Sequence, residues 1–197
     1  DKEIKEQLSA CHFNQAAVKK APMILTFCAD YNRFEKWCLA NKAEPGYDNF
    51  HSFFTAAIDT LLFAQNFAVA AESQGLGLCY LGTTVYTTKE IIKVLNLPKK
   101  VVPITTLSLG YPLEEESVRM DRLPLQAVVH ENTYKDYTAK DIQSYYADKE
   151  SREDNIQYIK ENKKETLAQV FTDVRYTKAD NEKISDLYWQ IIKEQGF

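Results

Sequence analysis

The sequence predicts an α+β fold in which helices flank a central sheet, and three features of the chain support this prediction. The short apolar run Met23–Ala29 has the length of a buried strand. The longer apolar segment Phe53–Ala71 has the length of a helix. A second strand-like run, Val101–Leu109, is followed at once by a glycine and, two residues later, a proline. Strands mixed with long helices in this way are typical of a sheet that helices cover.

Length and composition favour one folded domain. The chain has 197 residues, 45% of them hydrophobic, and a formal net charge of −4. This apolar content excludes a wholly disordered chain, and the mild negative charge argues against nucleic acid as a partner. Residues 131–197 carry 25 of the 52 charged side chains. We therefore expect one domain over residues 1–197, with a core over 1–130 and a charged helical tail over 131–197.

The remaining elements follow from local signals. Asp1–Ala10 has a helical composition, and Gly75 ends the long apolar helix because glycine adopts the left-handed conformation of a C-cap without strain. Leu76–Leu81 is then a strand. The other predicted helices are Thr88–Leu95, Lys140–Tyr146, Asp154–Phe171 and Asn181–Glu194, the last of them closed by Gly196.

The segment Phe53–Ala71 carries apolar residues on nearly every face of a helix. We expect it to be buried on several sides, by its own sheet and by a second subunit. Asp59, Gln65 and Asn66 interrupt it, which makes it too polar for a membrane span. No signal peptide opens the sequence, and we expect a soluble, cytoplasmic protein.

The polar residues form no familiar catalytic motif. The four cysteines contain no Cys-x-x-Cys pair, which argues against a zinc cluster and favours reduced, mostly buried thiols. The three histidines share no metal-ligand spacing, and no serine lies in a Gly-x-Ser-x-Gly motif. These residues are Cys11, Cys28, Cys38, Cys79, His12, His51 and His130. We predict no metal site and no catalytic residue of the chain's own, so that a bound cofactor would supply any difficult chemistry.

Gly75 and Gly77 suggest a dinucleotide-binding loop, but the pattern is incomplete. Tyr80 stands where the third glycine of such a loop would be. A Rossmann loop also leaves a strand and opens a helix, whereas here a helix ends and a strand begins. The two glycines are therefore better explained by a helix cap.

A longer pattern resembles a known family. The segments that carry it are Phe27–Arg33, Ala57–Asn66, Ala70–Gly82, Val94–Pro98, Leu107–Pro112, Arg122–Pro124, Val129–Tyr134 and Glu194–Phe197. In this order they resemble the flavin-dependent nitroreductases, and most of all the branch of NADPH-dependent, oxygen-insensitive nitroreductases and flavin reductases.

The resemblance implies an α+β sandwich that forms a homodimer and holds one FMN in each of two clefts at the subunit interface. It implies an oxidoreductase that takes hydride from NADPH or NADH and reduces a small aromatic acceptor, a nitroaromatic, quinone or flavin, by ping-pong turnover. The charged tail is expected to embrace the partner subunit. One alternative stays open, a non-catalytic or degenerate flavin-binding dimer of the same fold.

The resemblance also implies site residues. Tyr80, Leu81, Gly82 and Thr83 match the family's loop beside the flavin ring, where backbone amides approach N5 and a small residue leaves the reactive face open. A Cβ at Gly82 would crowd the ring. The alternative is that Gly82 simply forms a turn at the end of a strand.

Arg122 matches the family's ligand for the FMN phosphate, and a guanidinium offers two parallel donors to phosphate oxygens. Met120 stands where relatives carry a second cation, and Arg119 is the neighbouring substitute. Lys149 and Arg152 are the candidates for gripping NADPH, although a charged run is equally explained as a solvated face.

The family's opening Arg-Ser-x-Arg motif is not found before Asp1. Three explanations stay open: the chain is a fragment of a longer protein, its N-terminal segment was not observed, or it is a degenerate member. We expect the first or second, because the rest of the core shows no relaxed pattern.

Overall fold

The computed structural model describes residues 1–112 and 122–197. The described residues fall into two compact units, the first containing 1–112 and 184–197 and the second containing 122–183. The candidate residue Arg119 and the neighbouring Met120 lie outside the described residues. A single domain with a charged tail stays a prediction.

The described residues form helices and three strands. The helices are α1 (Lys2–Cys11), α2 (Ala16–Lys20), α3 (Asn32–Ala40), α4 (Phe50–Ser73), α5 (Thr88–Val94), α6 (Ala139–Ser151), α7 (Glu153–Glu161), α8 (Leu167–Val170) and α9 (Lys178–Glu194). The strands are β1 (Met23–Asp30), β2 (Gly77–Leu81) and β3 (Val101–Gly110). Each predicted strand is present. The sequence analysis missed α2 and α3, which have five and nine residues and therefore show little periodicity.

Within the first unit the described residues form a three-stranded antiparallel sheet in the order β1-β3-β2. The central strand β3 is buried along most of its length. The register shifts after Phe27, which pairs with Thr105, because the next residue of β1 pairs with Pro103. Ile104 is thus the extra residue of a β-bulge. Proline has no N–H to donate, and the bulge accommodates it within a central strand.

Helix α4 packs one face on this sheet. The buried residues of that face are mostly small: Ser52, Phe53, Ala56, Ala64, Ala68 and Ala71. Alanine side chains let the helix approach the strands closely. Phe27 of β1 contacts the rings of Phe63 and Phe67, with centroid distances of 5.9 and 5.7 Å.

The end of α4 is fixed by a Schellman motif. Gly75 has a φ of +77°, the left-handed conformation predicted for it. Its N–H donates to the carbonyl of Glu72 over 2.9 Å, and the N–H of Leu76 donates to the carbonyl of Ala71 over 3.1 Å. The chain therefore turns directly from α4 into β2.

The outer face of α4 is exposed in the single chain, where no second subunit covers it, so its burial by a partner stays a prediction. Phe54, Leu61 and Leu62 are 53%, 48% and 65% exposed. By length and composition alone, α4 is apolar enough to cross a membrane, with a mean hydropathy of 1.4 and 22% of its window buried. The argument that its polar residues exclude a span by composition was therefore wrong. Core helices of water-soluble proteins meet the same criterion, and α4 packs on a sheet.

The C-terminus is attached to the start of β3. The side-chain amide of Gln195 donates to the carbonyls of Pro98 and Val101, over 3.0 and 2.6 Å. Lys100, which is nearly buried, donates from Nζ to the carbonyl of Gly196. Phe197 packs in the core beside α4 and β3. These contacts make the last residues part of the first unit.

In the second unit, α6 begins with a capping box between Thr138 and Asp141. The predicted helix Asp154–Phe171 is wrong as a single element. It is interrupted by Lys163, whose φ of 55° is left-handed, and a new helix begins at Thr166, whose side chain accepts from a backbone N–H. The stop signal was missed because lysine is an ordinary helix residue.

Candidate functional site

The segment that follows β2 is a 3₁₀ turn over Gly82–Val85. Leu81, before it, is 3% exposed and anchors the turn to the core, whereas Gly82 is exposed. Among the described residues, no atom lies within 4 Å of the position a Cβ would take at Gly82. The glycines with positive φ in the described part of the chain are Gly75 and Gly196, so Gly82 has a backbone conformation open to other residues.

Threonine hydroxyls hold this turn on its inner side. Thr84 is buried, and its Oγ1 donates to the carbonyl of Leu81 over 2.9 Å. The same hydroxyl lies 3.1 Å from Oγ1 of Thr106 on β3. Thr88, one turn further, donates to the carbonyl of Thr84 over 2.9 Å. The turn is therefore attached to the central strand by buried hydrogen bonds.

A second set of hydrogen bonds attaches the turn to α1. Oγ1 of Thr83 lies 2.7 Å from Nδ1 of His12, the residue that follows α1. Thr87 donates from its hydroxyl to the carbonyl of Cys11 over 2.8 Å, with the carbonyl of Thr83 as a second acceptor at 3.2 Å. The end of α1 is thus attached to both ends of the turn.

His12 is fully buried, at 0% exposure. Its Nε2 has no hydrogen-bond partner among the described residues. Burial lowers the pKa of this imidazole below its ordinary value, because the charged form is poorly solvated inside the protein. His12 is therefore neutral at pH 7.

Tyr80 lies at the exposed edge of the same region, on the last part of β2. Its hydroxyl donates to Oε1 of Gln65 on α4, over 3.1 Å. The neighbouring Cys79 is an exposed free thiol and Cys28 is half-buried, whereas Cys11 and Cys38 are buried. All four cysteines are free, so the prediction of mostly buried thiols was right about their reduced state and wrong for Cys79.

In the second unit, Arg122 and Lys149 line one cavity of about 350 Å³. Ser144, Tyr145 and Asp148 also line this cavity. Arg122 is exposed. Nζ of Lys149 lies 5.4 Å from the centroid of the Phe171 ring, which is within cation–π distance. The structure therefore brings two of the candidate cations to one cavity.

Arg152 makes a two-pronged ion pair with Asp154 at the start of α7. Its Nε and a terminal nitrogen donate to the two carboxylate oxygens over 3.0 and 2.7 Å. This guanidinium lowers the pKa of Asp154 below its ordinary value, chiefly through the side-chain hydrogen bonds. Much of the hydrogen-bonding capacity of Arg152 is thus directed to its own helix.

Comparisons with known proteins agree with the fold. The model of the nitroreductase family matches residues 1–111, more than half of the chain. The chain belongs to the nitroreductase family. Its α+β fold is the fold of this family. A solved structure from Bacteroides fragilis, described as an oxidoreductase, is 55% identical, with a TM-score of 0.96, over all of this chain and 79% of that one.

Two further matches, both from Bacillus subtilis, extend the comparison. An NADPH-dependent FMN reductase is 39% identical over 68% of this chain and 54% of its own length. The solved structure of a nitroreductase is 31% identical, with a TM-score of 0.81, over all of this chain and 78% of that one. The chain spans 54 to 60% of the length of the first curated relatives it matches.

Within this nitroreductase-family fold, the structure keeps the four predicted loop residues together, Tyr80, Leu81, Gly82 and Thr83, in the first unit. It places Arg122, Lys149 and Arg152 in the second unit. Sequence reasoning missed the hydrogen bond between His12 and Thr83, because it weighed His12 only as a metal ligand. One signal was available, because threonines recur in pairs four residues apart at positions 83–84 and 87–88.

Proposed function

We propose that the chain forms the main part of an FMN-dependent NAD(P)H oxidoreductase. We place FMN beside the turn over Gly82–Val85. The relative from Bacillus subtilis that is named for FMN and NADPH supports this cofactor pair. Family membership supports the reaction class. The site residues are those that the family resemblance implies, and the geometry below supports them.

Gly82 carries the proposal. Its backbone conformation does not require glycine, and no described atom lies within 4 Å of the space that a Cβ would fill. Folding of the described residues therefore gives no reason for glycine at this position. A flat ring lying against the turn would explain the glycine. Because glycine has no Cβ, it lets a ligand approach the backbone more closely than any other residue does. The hypothesis of a simple strand-end turn leaves the glycine unexplained.

The cavity with Arg122 and Lys149, in the second unit, has the chemistry to bind a phosphate. A phosphate needs charge-assisted donors, and the guanidinium of Arg122 supplies two of them. Lys149 lines the same cavity as Arg122 and stays a candidate for the phosphates of NADPH. We assign Arg122 to the FMN phosphate. Arg119 stays a prediction from sequence.

When bound, FMN would accept a hydride from the nicotinamide and transfer it to the acceptor. The chain's own part is to hold the cofactor, to keep one face open at Gly82 and to exclude water beneath the turn through Leu81. The described turn contributes threonine hydroxyls and backbone amides, and the reaction needs no side chain of it as general acid. One open face used by both substrates in turn favours ping-pong kinetics.

Nitroaromatics, quinones and free flavins are the proposed acceptors, because an open face with few polar anchors discriminates weakly among flat aromatic molecules. For the donor we assign Lys149 and Arg152 to the phosphates of NADPH. Because Arg152 forms an ion pair with Asp154, we expect Arg152 to contribute less to binding these phosphates. We therefore expect the chain to use NADH as well.

We also propose a homodimer in the cytoplasm. The exposed outer face of α4 carries large apolar residues, including Phe54, Leu61 and Leu62, which a second subunit would cover. Sedimentation at micromolar concentration tests this assembly. A monomer that retains its flavin would contradict it.

The activity is tested by one spectrum of the purified protein. We expect flavin absorbance in the visible, which NADPH bleaches without oxygen and a quinone or nitroaromatic then restores. The flavin released by denaturation should be FMN. A colourless protein that added FMN does not colour would instead support a degenerate member of the family.

A further inference from the structure

We propose that His12 is a positioning residue for the flavin-binding turn, acting through the hydroxyl of Thr83. This inference rests on the proposed function, since it concerns the turn assigned to FMN. His12 itself is buried beneath the turn and is not expected to contact the reacting atoms. Its task is to fix where Gly82 and Thr83 lie.

The burial of His12 supports this role. A fully buried side chain that serves packing alone is normally apolar, because an unsatisfied polar atom in the core costs free energy. Here Nε2 is buried without a described partner, while Nδ1 makes a hydrogen bond of 2.7 Å with Thr83. Packing therefore explains the size of the side chain but not its chemistry. The hydrogen bond to Thr83 explains why this buried side chain is polar.

The position of His12 in the fold makes the bond effective. His12 follows α1, whose buried residues Leu8 and Cys11 pack with Ile91 of α5. The backbone before it is also bound, because Thr87 donates to the carbonyl of Cys11. The imidazole is thus held on a rigid base, and Thr83, 71 residues further along the chain, is held by the imidazole.

Thr84 fixes the turn to β3 from the opposite side. The bonds of Thr83 and Thr84 together leave the turn little freedom, and Gly82 precedes both. Loss of one bond should let the turn move relative to the sheet without unfolding it. A flavin lying against Gly82 would then be bound more weakly and in a changed environment.

The test compares four single variants of the flavin-loaded protein, and the double variant of His12→Leu with Thr83→Val. His12→Leu removes both ring nitrogens, and Thr83→Val removes the hydroxyl at constant shape. His12→Asn keeps a polar atom near the position of Nδ1. Ile91→Val is the control, because it loosens the same packing of α1 and α5 without touching the hydrogen bond. The measurements are the FMN dissociation constant, the visible flavin spectrum and the midpoint potential of the bound flavin.

We expect His12→Leu and Thr83→Val each to weaken FMN binding by about three- to tenfold, the range for one neutral hydrogen bond. Both should shift the flavin spectrum and potential in the same way. The double variant should be no worse than either single variant, because both remove one interaction. His12→Asn should restore the parent values, and Ile91→Val should leave them unchanged.

Three results would overturn the proposal. If the parent binds FMN and His12→Leu binds it with the same affinity, spectrum and potential, His12 has no positioning role, while the proposed function stands. If Ile91→Val reproduces the effects, the role of His12 is merely structural. Failure of the parent itself to bind FMN would remove the proposed function and this inference together.

Discussion

The two candidate binding regions differ in how they are built. The turn over Gly82–Val85 is held by neutral, buried groups, among them His12 and Thr84. The cavity around Arg122 and Lys149 is lined by exposed side chains, and its cations carry the chemistry. The first arrangement suits a ring whose position must be fixed. The second suits a phosphate, whose charge is attracted from several directions.

Because of this difference, the contributions of the two regions to flavin binding can be measured separately. FMN and riboflavin share the ring, and FMN alone carries the phosphate. A change at the turn should therefore affect both ligands equally. A change in the cavity should affect FMN alone.

The largest effect is expected for Arg122→Ala. Loss of a charge-assisted hydrogen bond costs about 1.5 to 3 kcal/mol, which weakens FMN binding by about ten- to a hundredfold. Riboflavin binding should not change. Both dissociation constants can be measured by quenching of flavin fluorescence. Equal weakening of the two ligands would show that Arg122 does not bind the phosphate.

A smaller effect, shared by both ligands, is expected for Gly82→Ala. The added methyl group would occupy space we assign to the ring, and overpacking at the low end of its usual range of about 1 to 3 kcal/mol weakens affinity by roughly five- to tenfold. Stability should stay constant or rise slightly, because alanine fits the backbone conformation. Urea denaturation and flavin titration measure the two effects separately.

Gly110→Ala is the matched control for that variant. A Cβ at Gly110 would lie 2.6 Å from Cδ of Pro22, a contact with a rigid ring. We expect loss of stability here, in contrast to Gly82→Ala. If Gly82→Ala were the less stable of the two and bound both flavins normally, the assignment of the turn would be wrong.

Salt should separate the regions by a smaller factor. Exposed charges are screened, so the FMN dissociation constant should rise by about two- to fivefold between low and high ionic strength. Riboflavin, held by the neutral turn, should respond little. Parallel titrations of the two ligands at several sodium chloride concentrations measure these changes in the dissociation constants. An equal change for both ligands would contradict the proposed difference between a neutral and a charged region.

The smallest effect concerns pH and the buried His12. Burial lowers its pKa in the folded protein, so its contribution to stability is complete above the unfolded value of about 6.5. The contribution is lost as the pH falls below that value toward the folded pKa, by at most about 1.4 kcal/mol per pH unit. Urea midpoints between neutral and mildly acidic pH should fall more for the parent than for His12→Asn. Parallel curves would show that His12 does not titrate in this range.

Much of the fold was predictable because its signals are local. The strands around residues 23–30 and 101–110 are apolar runs, and Gly75 ends α4 in the predicted left-handed conformation. The break at Lys163 had no such signal, since a left-handed lysine looks like any other lysine in a sequence. The resemblance led to the candidate residues, and the physical reason for glycine at position 82 came from the structure.

The three strands, most of the helices and the chemical types of the candidate site residues were predictable from the amino-acid sequence. Periodicity and composition are properties of neighbouring residues and predicted the elements, whereas the resemblance of longer segments pointed to the family. Tertiary structure alone decided that His12 meets Thr83, that Arg122 shares a cavity with Lys149, and that the outer face of α4 is left uncovered in one chain. Contacts between distant residues depend on how the whole chain packs, and an apolar helix does not indicate which of its faces the packing will bury.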